Sequence, residues 1–444
     1  MTAAAMWGCG SGPAGNTEPP GAHVAAALPS PAPLTSAAPA TAGDDAKKPK
    51  EDALFREILA RVSKARGLPV LSEVKLQTLD REAVGKRIRE HAARELPPDV
   101  LAHETEALVA LGLVAPSYNG EDGMFELITM SITGFYEPDD RAMYLTADLS
   151  DDERVETLVH ELVHALQDQH FGLGPMLKYA PGDDERLAAG HALAEGDATA
   201  ATFELAAGEQ ATPDEARFAV RARRAIEAIA PEVPAVLRES LVAPYVDGFA
   251  FVQGLRRRGG FAAVDAAWKA PPQTTEQVLH LDKYDAKEAP VAVAAPSLAP
   301  LTRAKDGRTW KEAYSQVIGE QGLRIVLEAW TDREAATKAA AGWGGDRYVL
   351  AAGEGKAAGE TALAWHVSFD TEADAKEMAA VLRAQAHGTC VARPDVGPFA
   401  WAHKKREVAL VMGPYRRADG KASSTGTCKE ALAWVSAIVA GGSK

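Results

Sequence analysis

Two features are missing from this chain, and each absence narrows what it can do. Its 48 basic residues are outnumbered by 62 acidic ones, for a formal charge of -14, and nowhere gather into a long basic stretch of the kind that neutralises phosphates or docks on anionic lipid. Nucleic acid is therefore set aside as a partner. No run approaches the roughly eighteen apolar residues that a spanning helix needs, so nothing in the mature chain reads as transmembrane. Cysteine is scarce too, with three residues: Cys9 near the start, and Cys390 and Cys428 towards the other end. Paired, the last two would close a loop of about forty residues, worth about 2–4 kcal/mol in the chain-entropy model, and would imply an oxidising compartment. Left unpaired, they would be buried thiols. What remains is an ordinary globular composition, 46% hydrophobic and 25% charged over 444 residues, enough to bury a core and divide into two or three folded parts.

The start, MTAAAMWGCGSGPAG, places Gly8 before Cys9 and follows it with small residues. It resembles the end of a bacterial lipoprotein signal with Cys9 as the lipidated residue, although no basic or full apolar region precedes it. The stretch from Gly10 to Lys50 is rich in Ala, Pro and Ser without apolar periodicity, which predicts a disordered tether that together with the signal-like start makes up residues 1–50. Structure is expected from Asp52, read as the cap of a helix carrying Leu54, Phe55, Ile58, Leu59 and Val62, with Gly67 and Pro69 ending it. Val74, Leu76 and Thr78 predict a short strand, and Arg81 to Glu95 a helix stopped by Pro97 and Pro98. Another helix is expected over Val100 to Leu113, and an apolar segment over Met124 to Ile132.

Gly134 to Leu149 reads as a β-hairpin or a bent edge strand, with Pro138, Asp139 and Asp140 at its turn. Beside an active-site helix such an edge would hold an extended peptide by main-chain hydrogen bonds. The alternative is a hairpin that belongs only to the core. The next segment, DLSDDERVETLVHELVHALQDQHF, carries a capping box from Ser150 to Glu153, acidic Asp151 and Asp152 at the positive end of the helix dipole, and a stripe of Val155, Leu158, Val159, Leu162 and Leu166. On that helix His160 and His164 stand one turn apart on one face, close enough to share a divalent ion. Glu161 sits at the edge of that face, where a carboxylate can take a proton from an activated water without being a ligand itself.

A catalytic zinc site takes a third protein ligand and leaves the fourth corner to water. His170 stands six residues after His164, but Gln167 occupies the place where a sharp turn would need glycine. A continuing helix carries His170 about 9 Å along the axis, too far to share the ion. Glu195 lies in a second helical stretch expected to start after Pro181 and Gly182 with Asp183 as its cap. An antiparallel return would lay Glu195 opposite the two histidines, with Gly196 allowing close approach. His191, one turn earlier, competes as a ligand, with an outer or substrate-facing role as its other reading.

HELVHALQDQHF followed by ALAEGDA resembles the gluzincin group of zinc metallopeptidases, in which HExxH on one helix is completed by a glutamate from a later helix. The resemblance extends to GFYEPDDRAMYL, PYVDGFAFVQGLRRRGG, PPQTTEQVLHLDKY and GWGGDRY, segments similar to those of a set of bacterial and archaeal proteins, and so spans about Leu54 to Tyr348. It implies one Zn²⁺ held by His160, His164 and Glu195, general-base action by Glu161, and a peptide or protein substrate. Two departures stand out. About thirty residues separate His164 from Glu195, and Thr199 stands where an acidic partner often follows the glutamate by four, leaving Asp197 or Asp168 to orient a ligand histidine. Tyr245, His280 and Tyr284 are candidate donors to an oxyanion, each with a plain packing role as its alternative.

Beyond Pro290 a Pro/Ala-rich connection leads into a C-terminal part. There Lys311 to Trp330 reads as largely helical, and Gly344 and Gly345 as a tight turn. Strands are expected over Ala362 to Ser368, Phe399 to His403 and Glu407 to Met412, and helices over Glu372 to Ala386 and Lys429 to Val439. Trp343 and Arg347 read as part of the turn, with cleft lining as their alternative. The expected fold is α+β: a mainly helical zincin-like catalytic domain over 51–289 with a small edge sheet, then a small α+β module over 290–444. The expected function is an extracytoplasmic zinc endopeptidase, either secreted or lipid-anchored at Cys9. The alternative is a zincin-like surface lipoprotein that binds a peptide or protein partner without turnover.

Overall fold

The computed structural model describes residues 44–208, 212–302 and 307–441, so the expectation for Cys9 lies outside the described residues. The elements run in chain order as α1 (Asp44–Arg66), β1 (Lys75–Leu79), α2 (Arg81–Glu95), α3 (Val100–Leu111), α4 (Gly120–Ser131), β2 (Gly134–Glu137), β3 (Ala142–Thr146), α5 (Asp151–Phe171), α6 (Leu173–Met176), α7 (Asp184–Ala207), α8 (Glu215–Ile229) and α9 (Ala235–Lys269). Two short helices, α10 (Thr275–Leu279) and α11 (Leu281–Ala286), and the turn α12 (Ala299–Thr302) lead to the sheet-forming part. That part comprises β4 (Arg308–Gln316), α13 (Gly319–Glu328), α14 (Arg333–Ala340), β5 (Trp343–Gly355), β6 (Glu360–Phe369), α15 (Glu372–Gln385), β7 (Cys390–Val391), β8 (Phe399–Lys404), β9 (Glu407–Ala418), β10 (Lys421–Ser424) and α16 (Cys428–Gly441). The protein is α+β, with helices and a three-stranded sheet first and an antiparallel sheet after them.

Several sequence expectations are corrected. Helix α1 starts at Asp44 and not at Asp52, inside the stretch read as a tether: the apolar stripe that marks a helix begins only at Leu54, and polar residues upstream extend the helix without one. The hairpin is present, but β3 is the central strand of the order β1-β3-β2, fully buried and paired in parallel with β1, so the edge belongs to β2 on that side. The apolar segment near Met124 is helix α4. Residues 311–316, the start of the stretch read as helical, belong instead to β4, because a bulge between Glu312 and Tyr314 breaks the alternation that would have announced a strand. Gly344 and Gly345 are not a turn but lie within β5. A side chain at Gly345 would meet the backbone oxygen of Val291 at 2.2 Å, so glycine lets the connecting segment lie directly on the strand. The turn itself is made by Gly342, at φ +76. In place of two small strand–helix repeats there is one continuous sheet, β4-β5-β6-β9-β8-β7, with β10 paired to β9.

Alternation along that sheet divides two cores. On β6, Leu363, Trp365, Val367 and Phe369 point into a large cluster shared with α13, α14 and α15, whereas Ala362 and Ala364 face Trp434 and Val435 of α16. Small residues on the second face admit that helix. The larger cluster also takes Val84, Leu108, Phe125, Val236 and Val242 from α2, α3, α4 and α9, so apolar packing runs across residue 290 without a break. Polar contacts cross there too. Arg324 and Gln321 on α13 bind Asp247 on α9, at 2.7 Å each at their shortest, and Tyr415 Oη donates to Glu106 at 2.6 Å.

A separate cluster joins α1, β3, α5, α7 and the middle of α9, with Leu162, Val163, Leu166, Leu193, Ala194, Phe249 and Val252 at its centre. Gly196 on α7 meets Gly248 on α9 so closely that a side chain on either would collide with the other helix's backbone, at 2.1 Å from Gly248 O and 1.9 Å from Ala192 O. Gly196 thus allows close approach as expected, but to α9 and not to the histidine helix.

Candidate metal centre

Helix α5 begins as its sequence requires: Ser150 caps Glu153 N, and the Glu153 carboxylate returns to Ser150 N at 2.9 Å. Such a box contributes about 1 kcal/mol and fixes where the helix starts, and therefore which way each later side chain faces. His160 and His164 point from α5 to α7, where Glu195 faces them. Helix α7 starts at Asp184, and Asp183 makes no side-chain cap bond there because its carboxylate is taken by Arg186.

Three atoms converge. His160 Nε2 lies 3.0 Å from Glu195 Oε2 and 3.1 Å from His164 Nε2, and His164 Nε2 lies 3.6 Å from the same Oε2. Zinc bonds of about 2.0–2.1 Å in tetrahedral arrangement put ligand atoms about 3.3–3.4 Å apart, so the triangle has the size of one face of such a site. Two imidazole nitrogens and one carboxylate oxygen are also the donor set that suits zinc. His164 and Glu195 are fully enclosed, while His160 retains 7% exposure and Glu156, one turn before it, is exposed. Solvent therefore approaches from the His160 side. Burial by itself would raise the Glu195 carboxyl, but the imidazoles of His164, His160 and His191 gathered around it hold it well below the usual carboxylate range. The group is kept ionised, as a ligand must be.

The histidine helix is aimed by a network that the sequence reading overlooked. His164 Nδ1 lies 2.7 Å from Gln167 Oε1. The Gln167 amide nitrogen donates to Ala194 O at 3.0 Å and to Asp197 Oδ2 at 3.1 Å, which fixes the amide oxygen towards His164. Nδ1 of His164 therefore carries the proton, and the Nε2 lone pair faces the triangle. Asp197 also accepts from Trp268 Nε1 at 2.9 Å and from Arg66 Nε at 2.6 Å. Asp197 thus orients a histidine, through Gln167. The spacing from His164 to Gln167, one helical turn, was the available signal, passed over because Gln167 was weighed only as a missing glycine.

Other candidates go elsewhere. Asp168 accepts from Tyr136 Oη at 3.0 Å and caps Leu173 N, so it does not orient a ligand. His170 Nε2 contacts Pro69 O at 2.7 Å, as the continuing helix requires. His280, offered as an oxyanion donor, has its Nε2 paired with Glu320 at 2.8 Å across the joint with α13, and Tyr284 donates to Ala270 O at 2.9 Å. Tyr245 does reach the site, its ring 6.1 Å from that of His160. Glu161 is fully buried beside His160, and His191 Nε2 lies 3.3 Å from Glu195 Oε1. Trp343 is buried and donates to Asp346 at 2.9 Å, which excludes it from a cleft. Cys390 and Cys428 are joined as a disulfide.

Among the described residues one other group gathers three ligand-type atoms, from Glu276, Glu288 and Asp370. The Lys283 ammonium contacts all three, so a side-chain cation already fills that place. No helix among the described residues is long and apolar enough to cross a membrane.

Comparison with known proteins is informative only for the second part of the chain. No curated protein and no solved structure matches. Residues 308–422, from β4 into β10, match the family model described as Domain of unknown function (DUF8575).

Proposed function

We propose that this chain is a zinc-dependent endopeptidase, with His160, His164 and Glu195 as ligands and Glu161 as general base. The observation that carries the proposal is the triangle of two Nε2 atoms and one Oε2, with edges of 3.0–3.6 Å, on buried helices whose outer hydrogen bonds free the lone pair of His164. A zinc ion held by these three residues would polarise a scissile carbonyl and lower the pKa of a water. Glu161 would take the proton of the attacking water as its oxygen bonds to the scissile carbonyl carbon, and hand it to the amine nitrogen as the C–N bond breaks. Tyr245, with its ring beside His160, is assigned the donor to the oxyanion. The close approach of Gly196 and Gly248 locks α7, which carries Glu195, to α9. An oxidising, extracytoplasmic location accords with the Cys390–Cys428 bond.

Glu161→Gln tests the reading. The variant is expected to retain near-stoichiometric zinc by metal analysis while cleavage of a casein-type substrate falls about 10²–10⁴-fold. Cleavage at the unsubstituted rate would refute the mechanism. If the purified protein takes up no zinc, the metal assignment goes with it.

A further inference from the structure

The mechanism above leaves a buried polar side chain beside the triangle without a task. His191 is 3% exposed, and neither ring nitrogen completes a well-aligned hydrogen bond. Its Nε2 nevertheless stands 3.3 Å from Glu195 Oε1, an oxygen that is itself enclosed and otherwise unpartnered. The two residues are one turn apart on α7, the spacing at which helical side chains stack. A buried imidazole and a buried carboxylate oxygen, each costly to leave unsatisfied, have each other.

Resting on the zinc reading, we propose that His191 is a positioning residue that keeps Glu195 a one-oxygen ligand. The two carboxylate oxygens are divided between two tasks. Oε2 forms the triangle with His160 and His164, at 3.0 and 3.6 Å, while Oε1 is turned out of it towards His191. His191 is not itself a ligand, because its nitrogens fall outside the group of atoms that converge. The tautomer follows from the surroundings: Nε2 carries the proton that Oε1 accepts, and Nδ1 is a bare acceptor, since a second N–H there would be buried with no acceptor of its own. Without His191, Oε1 is free to swing towards the ion and add a second carboxylate oxygen that crowds the corner a reacting water needs. A carboxylate can bind through one oxygen or two, and the neighbour on α7 decides which.

The test uses the full chain with His191→Leu, which fills the space without a donor, and His191→Gln, whose amide N–H can reach the same oxygen. Circular dichroism first establishes that each variant is folded. The metal-stripped proteins are then titrated with Zn²⁺ against a chromophoric chelator and separately loaded with Co²⁺ for visible absorption. The leucine variant is expected to bind Zn²⁺ about 10–100-fold more weakly, and its Co²⁺ bands to shift and weaken as coordination rises from four to five. The glutamine variant is expected to recover both the affinity and the spectrum. A leucine variant that matches the unsubstituted chain in both overturns the proposal. So does a folded glutamine variant that recovers neither, and this arm decides the matter if the leucine variant does not fold. An unsubstituted chain that takes up neither metal overturns the zinc reading itself, an outcome visible before any substitution is compared.

Discussion

Asp197 and Asp346 are both buried aspartates fed by several donors, one in the helical layer and one in the sheet. Asp346 accepts from Ile318 N, Gly319 N, Trp343 Nε1 and Trp365 Nε1 at 2.8–3.2 Å, and all four donors end there. No basic side chain is among them, and burial pushes its carboxyl up. Asp197 accepts from the Arg66 guanidinium, from Trp268 and from Gln167, and Gln167 passes the constraint on to His164. The sheet region uses a buried acid to tie its own backbone and indoles together. The helical region uses one to aim the His164 ring, through Gln167, at His160 and Glu195.

Substitutions can separate these two uses. Asp197→Ala leaves Arg66 without its fully buried partner and is expected to cost about 3–5 kcal/mol of folding stability and to weaken zinc binding as well. Asp346→Ala, with four donors orphaned, is expected to cost about 3 kcal/mol and to leave zinc affinity in the surviving folded protein unchanged. Denaturant unfolding together with zinc titration reads both. If both variants lose zinc alike, the distinction fails. Cys428→Ser opens a loop of sequence separation 38 and should cost about 2–4 kcal/mol, again without touching the metal. Gln167→Leu reverses the pattern, with zinc Kd rising about 10–100-fold, about 1.4–2.7 kcal/mol, and a smaller change in unfolding midpoint.

The effect that depends on pH belongs to the joint between the regions. Glu185 on α7 accepts from Thr275 N at 2.8 Å, yet burial raises its carboxyl from 4.5 to about 8. A raised folded value means that its contribution is fully present below pH 4.5 and is lost as pH rises through about 8. Glu185→Gln should flatten the fall in stability across that window, and an unchanged slope would remove Glu185 as its source.

What the sequence made legible was whatever depends on local rules. The Ser150–Glu153 box, the His160–His164 turn, the limits of α2 and the Gly67 stop are set by residues a few positions apart. Glu195 was reachable because a second helix had to return to the first. The misses share a cause, which is dependence on a distant partner. Nothing near Gly344 and Gly345 announces Val291, nothing near β3 announces that β1 pairs with it in parallel, and nothing near Gln167 announces Asp197 on another helix. His280 was misplaced for the same reason, since its partner Glu320 lies across the joint.

Arg66 is the last residue of α1, and its guanidinium is enclosed against Asp197 with a second contact to Asp265 at 2.6 Å. The first described helix is therefore wired to α7 by charge as well as by packing. Proteolytic trimming upstream of α1 would spare this link. A cut that carried α1 away would strand the Asp197 anion in the interior, directly behind the Gln167 amide that supports His164, so the permissible limit of any such trimming is written into the helical layer itself.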